Sequence, residues 1–100
     1  MVDFIFLMHN DSVRRASDSD DDAWGPYIQR LKLSGLFEGG SAVGGGVCVN
    51  KAGAKVEVST HIVGFITVQA ESLDQARELL NGNPVFEAGG TVEIRDLPRT

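Results

Sequence analysis

The chain has 100 residues, 42% of them hydrophobic and 23% charged, a composition typical of one globular domain spanning residues 1–100. Fourteen acidic residues against nine basic ones give a net charge of −5, so a broad cationic surface for nucleic acid is not expected. No apolar run reaches the roughly 18 residues that a membrane span needs, no cationic segment precedes an apolar one at the start, and Cys48 is the lone cysteine. We therefore expect a cytoplasmic protein without a signal peptide, disulfide, metal or cofactor, and with neither nucleic acid nor membrane as a partner.

The first part of the chain predicts a strand followed by a helix. Residues 2–9 alternate between two faces that are both largely apolar, which indicates a central strand covered on both sides. A polar loop over 10–22 ends in an acidic run, whose aspartates we expect just ahead of a helix, at its positive dipole end. Pro26 fits the first turn of that helix, and Gly35 fits its C-cap. The helix carries an apolar stripe at helical spacing, formed by Trp24, Tyr27, Ile28 and Leu31.

The middle of the chain is rich in glycine. Residues 39–50 form neither a P-loop nor a dinucleotide fingerprint, because no GK[ST] follows and a strand rather than a helix comes next. They predict a bulged or strongly bent strand, with Cys48 as an inert thiol inside it. A hairpin turn at 50–53, with Gly53 at positive φ, leads into a half-exposed return strand over 54–59, where apolar and polar residues alternate.

The last part of the chain completes the fold. Residues 61–70 read as a buried strand, Ser72 caps a second helix with Gln75 in a capping box, and 92–95 alternate as a final strand. The order β-α-β-β-β-α-β predicts an α+β protein with the ferredoxin-like split βαβ fold, an antiparallel sheet with two helices on one face. Since two helices cover only one face, we expect a homodimer that packs through the open sheet face.

The two histidines come close together in this topology. The first strand pairs antiparallel with the strand at 61–70, which brings His9 and His61 to the same edge of the sheet. A functional interpretation makes them a general base and its partner, or two metal ligands with Asp11 nearby. The alternative is two strand-end histidines bonded to backbone or solvent, and two histidines without a firm third ligand do not establish a metal site.

The sequence resembles the YCII-related family, and especially its DGPF branch, through short segments spread along nearly the whole chain. They are Phe4-Ile-Phe-Leu-Met-His9, Trp24-Gly-Pro-Tyr27-Ile with Leu31, Gly35-Leu-Phe-Glu-Gly-Gly40, Gly64-Phe65, Glu71-Ser-Leu-Asp-Gln-Ala76 and Gly90-Thr-Val-Glu-Ile-Arg95. The resemblance implies a dimeric ferredoxin-like fold of the α+β barrel type.

The DGPF motif itself is missing, since residues 58–61 run almost directly into 62–65. The YCII branch is suspected of enzyme activity through a histidine near the start of the first helix, paired with an aspartate. Trp24 takes that position here, and an indole cannot do acid–base work.

These observations lead to one main functional prediction and two alternatives. The main one is a small-molecule pocket between the first helix and the sheet, lined by His9, Trp24, Tyr27, Ser41, His61 and Phe65. One alternative is a cofactor-independent lyase, isomerase or oxygenase acting on an aromatic or lactone-like compound, with His9 or His61 as its acid–base residue. The other is a purely structural interaction module. For Trp24 and Tyr27, plain core packing is the competing interpretation.

Overall fold

The computed structural model describes residues 1–12 and 18–98, with side chains described from residue 23 onward in the first helix. Part of the loop predicted over 10–22 therefore lies outside the described residues. The strands are β1 (Val2–His9), β2 (Phe37–Ala42), β3 (Ile62–Ala70) and β4 (Val92–Leu97), and the helices are α1 (Asp18–Ser34), α2 (Leu73–Glu78) and α3 (Pro84–Glu87). None of these helices is long and apolar enough to cross a membrane.

The four strands form one antiparallel sheet in the order β2-β3-β1-β4. β1 lies at the centre, with Phe6 opposite Ile66 on β3 and Ile94 on β4. The predicted antiparallel pairing of the first strand with 61–70 is confirmed, and so is the ferredoxin-like α+β fold. The short helix α3 is an addition to the predicted pattern.

The core lies between the sheet and the helices. Phe4, Phe6 and Met8 alternate along β1 with half-buried residues, and they pack in one cluster with Tyr27 and Leu31 of α1. Since residues two apart on a strand point to the same face, the helices cover the Phe6 side of the sheet. The opposite side of the sheet, called the open face below, carries the residues that alternate with the buried ones. These are Ile5, Leu7 and His9 on β1, and Phe65 on β3.

Helix α1 begins earlier than the sequence predicts. It starts at Asp18, so the acidic run lies within its first turns and Pro26 lies inside the helix. The expectation of a helix starting near Pro26 was wrong, because acidic residues in a first turn are stabilised by the helix dipole and extend the helix towards the N-terminus. The predicted C-cap is confirmed, since Gly35 has a φ of 76° and its N–H donates to the Lys32 carbonyl over 3.1 Å.

Residues 43–60, called the arm below, contradict the predicted return strand. The turn at 50–53 forms as predicted, with Gly53 at a φ of 76° and its N–H donating to the Asn50 carbonyl. No strand is assigned over 54–59, however, and Cys48 is exposed outside any strand rather than inside one. The physical reason is that the arm gains little packing from the described parts of the chain, since 17 of its 18 residues are exposed. An isolated pair of chain segments is at best marginally stable as a sheet in water.

The second half of the chain is organised by two caps. The Ser72 hydroxyl accepts a hydrogen bond from the Gln75 N–H, so the predicted N-cap of α2 is present, while the Gln75 side chain accepts from the Glu71 N–H. Asn83 caps α3, and its Oδ1 accepts from the N–H groups of the second and third helical residues. The Asn83 side chain is fully buried, and its Nδ2 has no hydrogen-bond partner among the described residues.

Candidate functional site

A cleft of about 530 Å³ lies between α1 and the β2–β3 side of the sheet. This volume lies within the range of pockets that hold small organic molecules. The walls are mainly apolar and come from every layer of the fold: Met8, Trp24, Ile28, Phe37, Gly40, Ser41, Ala42, Val63, Gly64, Phe65, Ile66 and Val85. The cleft is therefore suited to a ligand that is recognised mostly by shape and apolar contact.

Three of the six predicted pocket residues line this cleft, namely Trp24, Ser41 and Phe65. Trp24 is half-buried and meets Tyr27 edge-on, with ring centroids 5.9 Å apart. The Ser41 hydroxyl donates to the Ala42 carbonyl over 2.9 Å, so the strand backbone already uses its hydrogen. Among the lining residues the serine adds one hydroxyl to an otherwise apolar wall.

Tyr27 does not line the cleft and belongs to the core, with 2% of its surface exposed. Its hydroxyl donates to the Leu79 carbonyl over 2.8 Å, which ties α1 to the end of α2. Burial raises the pKa of Tyr27, although the nearby Asn83 amide and Arg30 guanidinium partly oppose this effect. Tyr27 therefore lies where the core-packing interpretation places it, in the buried core.

His9 and His61 lie together, as the strand pairing predicts, but they do not line the cleft. Their ring centroids are 5.2 Å apart in an edge-to-face arrangement. Met8 reaches the cleft side of the sheet, and its neighbour His9 lies on the open face because successive strand residues alternate. The six predicted residues thus do not form one site: Trp24, Ser41 and Phe65 line the cleft, Tyr27 lies in the core, and His9 and His61 lie together on the open face. Phe65 stands opposite Leu7, so it borders the cleft from β3 while its ring lies on the open face.

The histidines are part of a hydrogen-bonded cluster that includes Glu93. His9 Nε2 lies 3.1 Å from Glu93 Oε1, and Arg95 Nη1 donates to Glu93 Oε2 over 3.1 Å. The hydrogen bond from Arg95, and next the one from His9, lower the pKa of Glu93, so its carboxylate stays ionised. His61 Nδ1 lies 3.1 Å from the Ser59 hydroxyl.

Asp11 fixes the backbone beside this cluster. The Thr91 hydroxyl and the Thr91 N–H both donate to its carboxylate, over 2.6 and 2.8 Å, and these two bonds lower the pKa of Asp11. Asp11 is thus engaged by Thr91. In the part of the chain that the structure describes, no group of three histidine, cysteine or acidic side chains is placed to hold a metal ion.

The sequence interpretation missed two features of the site. The first is Glu93, whose bond to His9 follows only from the β1–β4 register, in which Leu7 stands opposite Glu93. On β2 the prediction named Ser41 but missed Phe37, Gly40 and Ala42, which also line the cleft. A short edge strand with glycines leaves room for a cavity beside it.

Comparison with known proteins identifies the family of this chain. The YCII-related domain matches residues 4–99, so the chain belongs to the YCII-related family. Among solved structures, 5-chloro-2-hydroxyhydroquinone dehydrochlorinase (TftG) from Burkholderia phenoliruptrix AC1100, in complex with 2,5-dihydroxybenzoquinone, has a similar fold. Its TM-score is 0.59 at 17% sequence identity, covering 100% of this chain and 96% of that one. A search of the curated proteins gives no match.

Proposed function

We propose that this chain binds a small, planar and mostly apolar molecule in the cleft between α1 and the sheet. The observation that carries the proposal is the cleft itself, with about 530 Å³ of space and the aromatic side chains of Trp24 and Phe37 in its wall. Aromatic side chains stack on planar rings and offer large apolar contact areas at fixed geometry. Because the wall of the cleft has few polar groups, it favours binding of a planar ligand over a chemical reaction of that ligand.

The similar fold of TftG supports an aromatic or quinone ligand. That protein was solved with 2,5-dihydroxybenzoquinone, a planar ring with polar edges. A ring of this size fits a cleft of the observed volume, and Ser41 and the backbone of the β2 edge are the polar groups that its oxygens would meet. Trp24 occupies the position that in the family resemblance belongs to a catalytic histidine, which again favours binding.

The test is a titration with 2,5-dihydroxybenzoquinone followed by calorimetry and by the fluorescence of Trp24, the single tryptophan of the chain. We expect saturable binding. Ala42→Phe, which fills the cleft, is expected to weaken binding about tenfold or more, because the phenyl ring occupies the space that the ligand needs; a tenfold change corresponds to about 1.4 kcal/mol. Ala52→Phe places the same side chain on the exposed arm and serves as the control. Equal binding by both variants would contradict the proposal.

A second candidate function is proton transfer at the histidine cluster, as in a cofactor-independent lyase, isomerase or oxygenase. The 3.1 Å bond between His9 Nε2 and the ionised Glu93 favours it. With Glu93 accepting from Nε2, the neutral ring keeps Nδ1 as its proton acceptor, which is the arrangement of a general base with an orienting carboxylate. This function would use the open face rather than the cleft.

Chloride release from 5-chloro-2-hydroxyhydroquinone tests this second function. His9→Gln should abolish any turnover and Glu93→Gln should reduce it, because the general base loses its orientation. Glu71→Gln changes an exposed carboxylate on another part of the surface and should leave the rate unchanged. Turnover that survives His9→Gln would exclude His9 as the base.

We also propose a homodimer that packs through the open face. Ile5, Leu7 and Phe65 lie on that face, and no helix in the described part of the chain covers it. If the chain forms the dimer but shows neither ligand binding nor turnover, its function is that of a purely structural module. A location in the cytoplasm, where Cys48 stays reduced, fits the chain's lone exposed thiol.

A further inference from the structure

The cleft between α1 and the sheet is larger than a single aromatic ring requires. An apolar cavity of roughly 150 Å³ is enough to hold one benzene molecule. The cleft has about 530 Å³, roughly three and a half times that volume. It therefore has room for a second ring fused to the first.

The floor of the cleft has no side chain at Gly64. Gly64 stands opposite Met8 on β1 and opposite Ala42 on β2, and all three residues line the cleft. By the strand alternation, Gly64 lies on the helix side of the sheet, where it is buried. The next residues on that side of β3, Ile66 and Val68, carry branched side chains that pack in the core. The space beside Met8 is open because position 64 contributes no Cβ.

A methyl group at position 64 would reach the Met8 side chain and the backbone of β2. An added Cβ would lie 3.4 Å from Met8 Cε, 3.3 Å from the Ser41 carbonyl oxygen and 3.7 Å from Ala42 Cα. The end of a methionine side chain is flexible and moves at little cost. Gly64 is not among the glycines with a positive φ, so its backbone conformation is open to alanine. Gly64→Ala should therefore fold and reduce the space in the cleft.

Affinity in this cleft comes from apolar contact. In the described part of the chain, none of the side chains that line the cleft is acidic or basic. Met8 has 3% of its surface exposed, and its thioether is suited to contact with an aromatic ring. Since the free energy of burial grows with the apolar area removed from water, a second ring adds affinity wherever the floor has space for it.

We propose that the ligand of the cleft is a fused two-ring aromatic molecule, and that Gly64 is the residue that admits its second ring. This inference rests on the proposed function and names the class of ligand that the cleft takes. One ring meets Trp24 and Phe37 in the wall, and the other lies over Gly64 beside Met8. Gly64 thus determines specificity through the space that it leaves open.

The test uses 2-naphthol and phenol as probes, because they share one hydroxyl group and differ by one fused ring. Calorimetry gives the dissociation constant of each probe with the wild-type chain, Gly64→Ala and Gly39→Ala. Gly39→Ala is the matched control on the adjacent strand, since Gly39 does not line the cleft and its added Cβ would meet only the Thr67 hydroxyl oxygen, at 3.9 Å. Circular dichroism and thermal unfolding verify that the variants fold.

We expect the wild-type chain to bind 2-naphthol at least about tenfold more tightly than phenol, a difference of about 1.4 kcal/mol. Gly64→Ala should weaken the binding of 2-naphthol about tenfold or more and that of phenol less than about twofold, since one methylene in an apolar pocket changes discrimination by about 10–200-fold. Gly39→Ala should bind both probes as the wild-type chain does.

A second variant keeps the test decisive if Gly64→Ala does not fold. Ala42→Val adds two methyl groups opposite Gly64, at an exposed position of the edge strand β2 where a β-branched residue is well tolerated. It should weaken the binding of 2-naphthol more than that of phenol, as Gly64→Ala does.

Two outcomes would overturn the proposal. If the folded variants weaken both probes equally, or weaken neither, position 64 does not select the number of rings. If the wild-type chain binds phenol as tightly as 2-naphthol, or binds neither probe, the ligand class is wrong. The proposed function is decided separately, because saturable binding of 2,5-dihydroxybenzoquinone that Ala42→Phe weakens would support it even if both of these probes fail.

Discussion

The glycine at position 40 is expected to be essential to the packing of β2, whereas its neighbour Gly39 is not. A Cβ added at Gly40 would lie 2.5 Å from the Phe65 carbonyl oxygen and 3.1 Å from Ile66 Cα. Both are backbone atoms of β3, so no side-chain rotation relieves the contact. A Cβ added at Gly39 would meet only the Thr67 hydroxyl oxygen, at the ordinary distance of 3.9 Å.

The pair Gly40→Ala and Gly39→Ala therefore isolates the steric contribution. Both substitutions replace a glycine by an alanine and so reduce the conformational freedom of the unfolded chain equally. This effect alone stabilises the folded protein by about 0.5–1 kcal/mol. Only Gly40→Ala forces β2 away from β3, by about 1 Å, to reach an ordinary contact distance of about 3.5 Å. Overpacking of this kind costs about 1–3 kcal/mol, and this is the expected difference between the two variants.

Urea unfolding followed by Trp24 fluorescence measures that difference, and thermal unfolding gives a second measurement. For a 100-residue domain, 1 kcal/mol corresponds to about 4–8 °C in the midpoint of thermal unfolding. Gly40→Ala should unfold at least about 4 °C below Gly39→Ala, with unchanged dependence on urea. If the two variants unfold at the same temperature and urea concentration, β2 does not have the close contact with β3 on which the shape of the cleft depends.

Three further substitutions test other parts of the structure. Asn83→Ala should lower the free energy of unfolding by about 1–2 kcal/mol in urea, because α3 loses its N-cap; a loss below about 0.3 kcal/mol would contradict that role. Tyr27→Phe removes the hydroxyl bond to Leu79 and should cost about 1 kcal/mol by the same measurement, with an unchanged stability contradicting it. The bonds from Thr91 lower the pKa of Asp11, so its carboxylate stabilises the fold above its ordinary pKa of 3.8, and this contribution disappears as the pH falls through the lowered value. The stability advantage of wild type over Asp11→Asn should therefore be constant above about pH 5 and shrink towards about pH 2, and an advantage that does not depend on pH would refute this reasoning.

The parts of the fold with a clear internal pattern could be predicted from the sequence. Alternation in residues 2–9 identified a central strand, and its pairing with 61–70 placed His9 beside His61. Gly35 marked the end of α1 because only a residue without a Cβ adopts its positive φ freely. In each case the local sequence and the long-range packing require the same structure.

The errors have physical reasons that differ from one element to the next. Pro26 suggests a helix start, but α1 begins at Asp18, because acidic residues in the first turn also favour a helix. The proline then lies inside the helix, where its ring and its missing N–H make it an unfavourable residue that the sequence pattern places more naturally in a first turn. The helix α3 was missed although Asn83 followed by Pro84 is a combined N-cap and first-turn signal.

The prediction of a strand over 54–59, within the arm, failed for a different reason. Alternating apolar residues at 54, 56 and 58 are the pattern of a strand with one covered face, and in the described part of the chain that face stays mostly exposed, with only Val58 half-buried. Alternation alone does not hold a strand in place when its apolar side gains little packing.

The alternation along β1 also separates the two candidate sites. Met8 contributes to the cleft, and His9, one residue later, belongs to the cluster with Glu93 on the open face. A ligand held in the cleft thus cannot reach the His9 ring without a rearrangement of the central strand, which pairs on both sides along nearly its whole length. Binding in the cleft and proton transfer at His9 are therefore separable functions, and a partner copy laid across the open face would cover the histidines while leaving the cleft accessible.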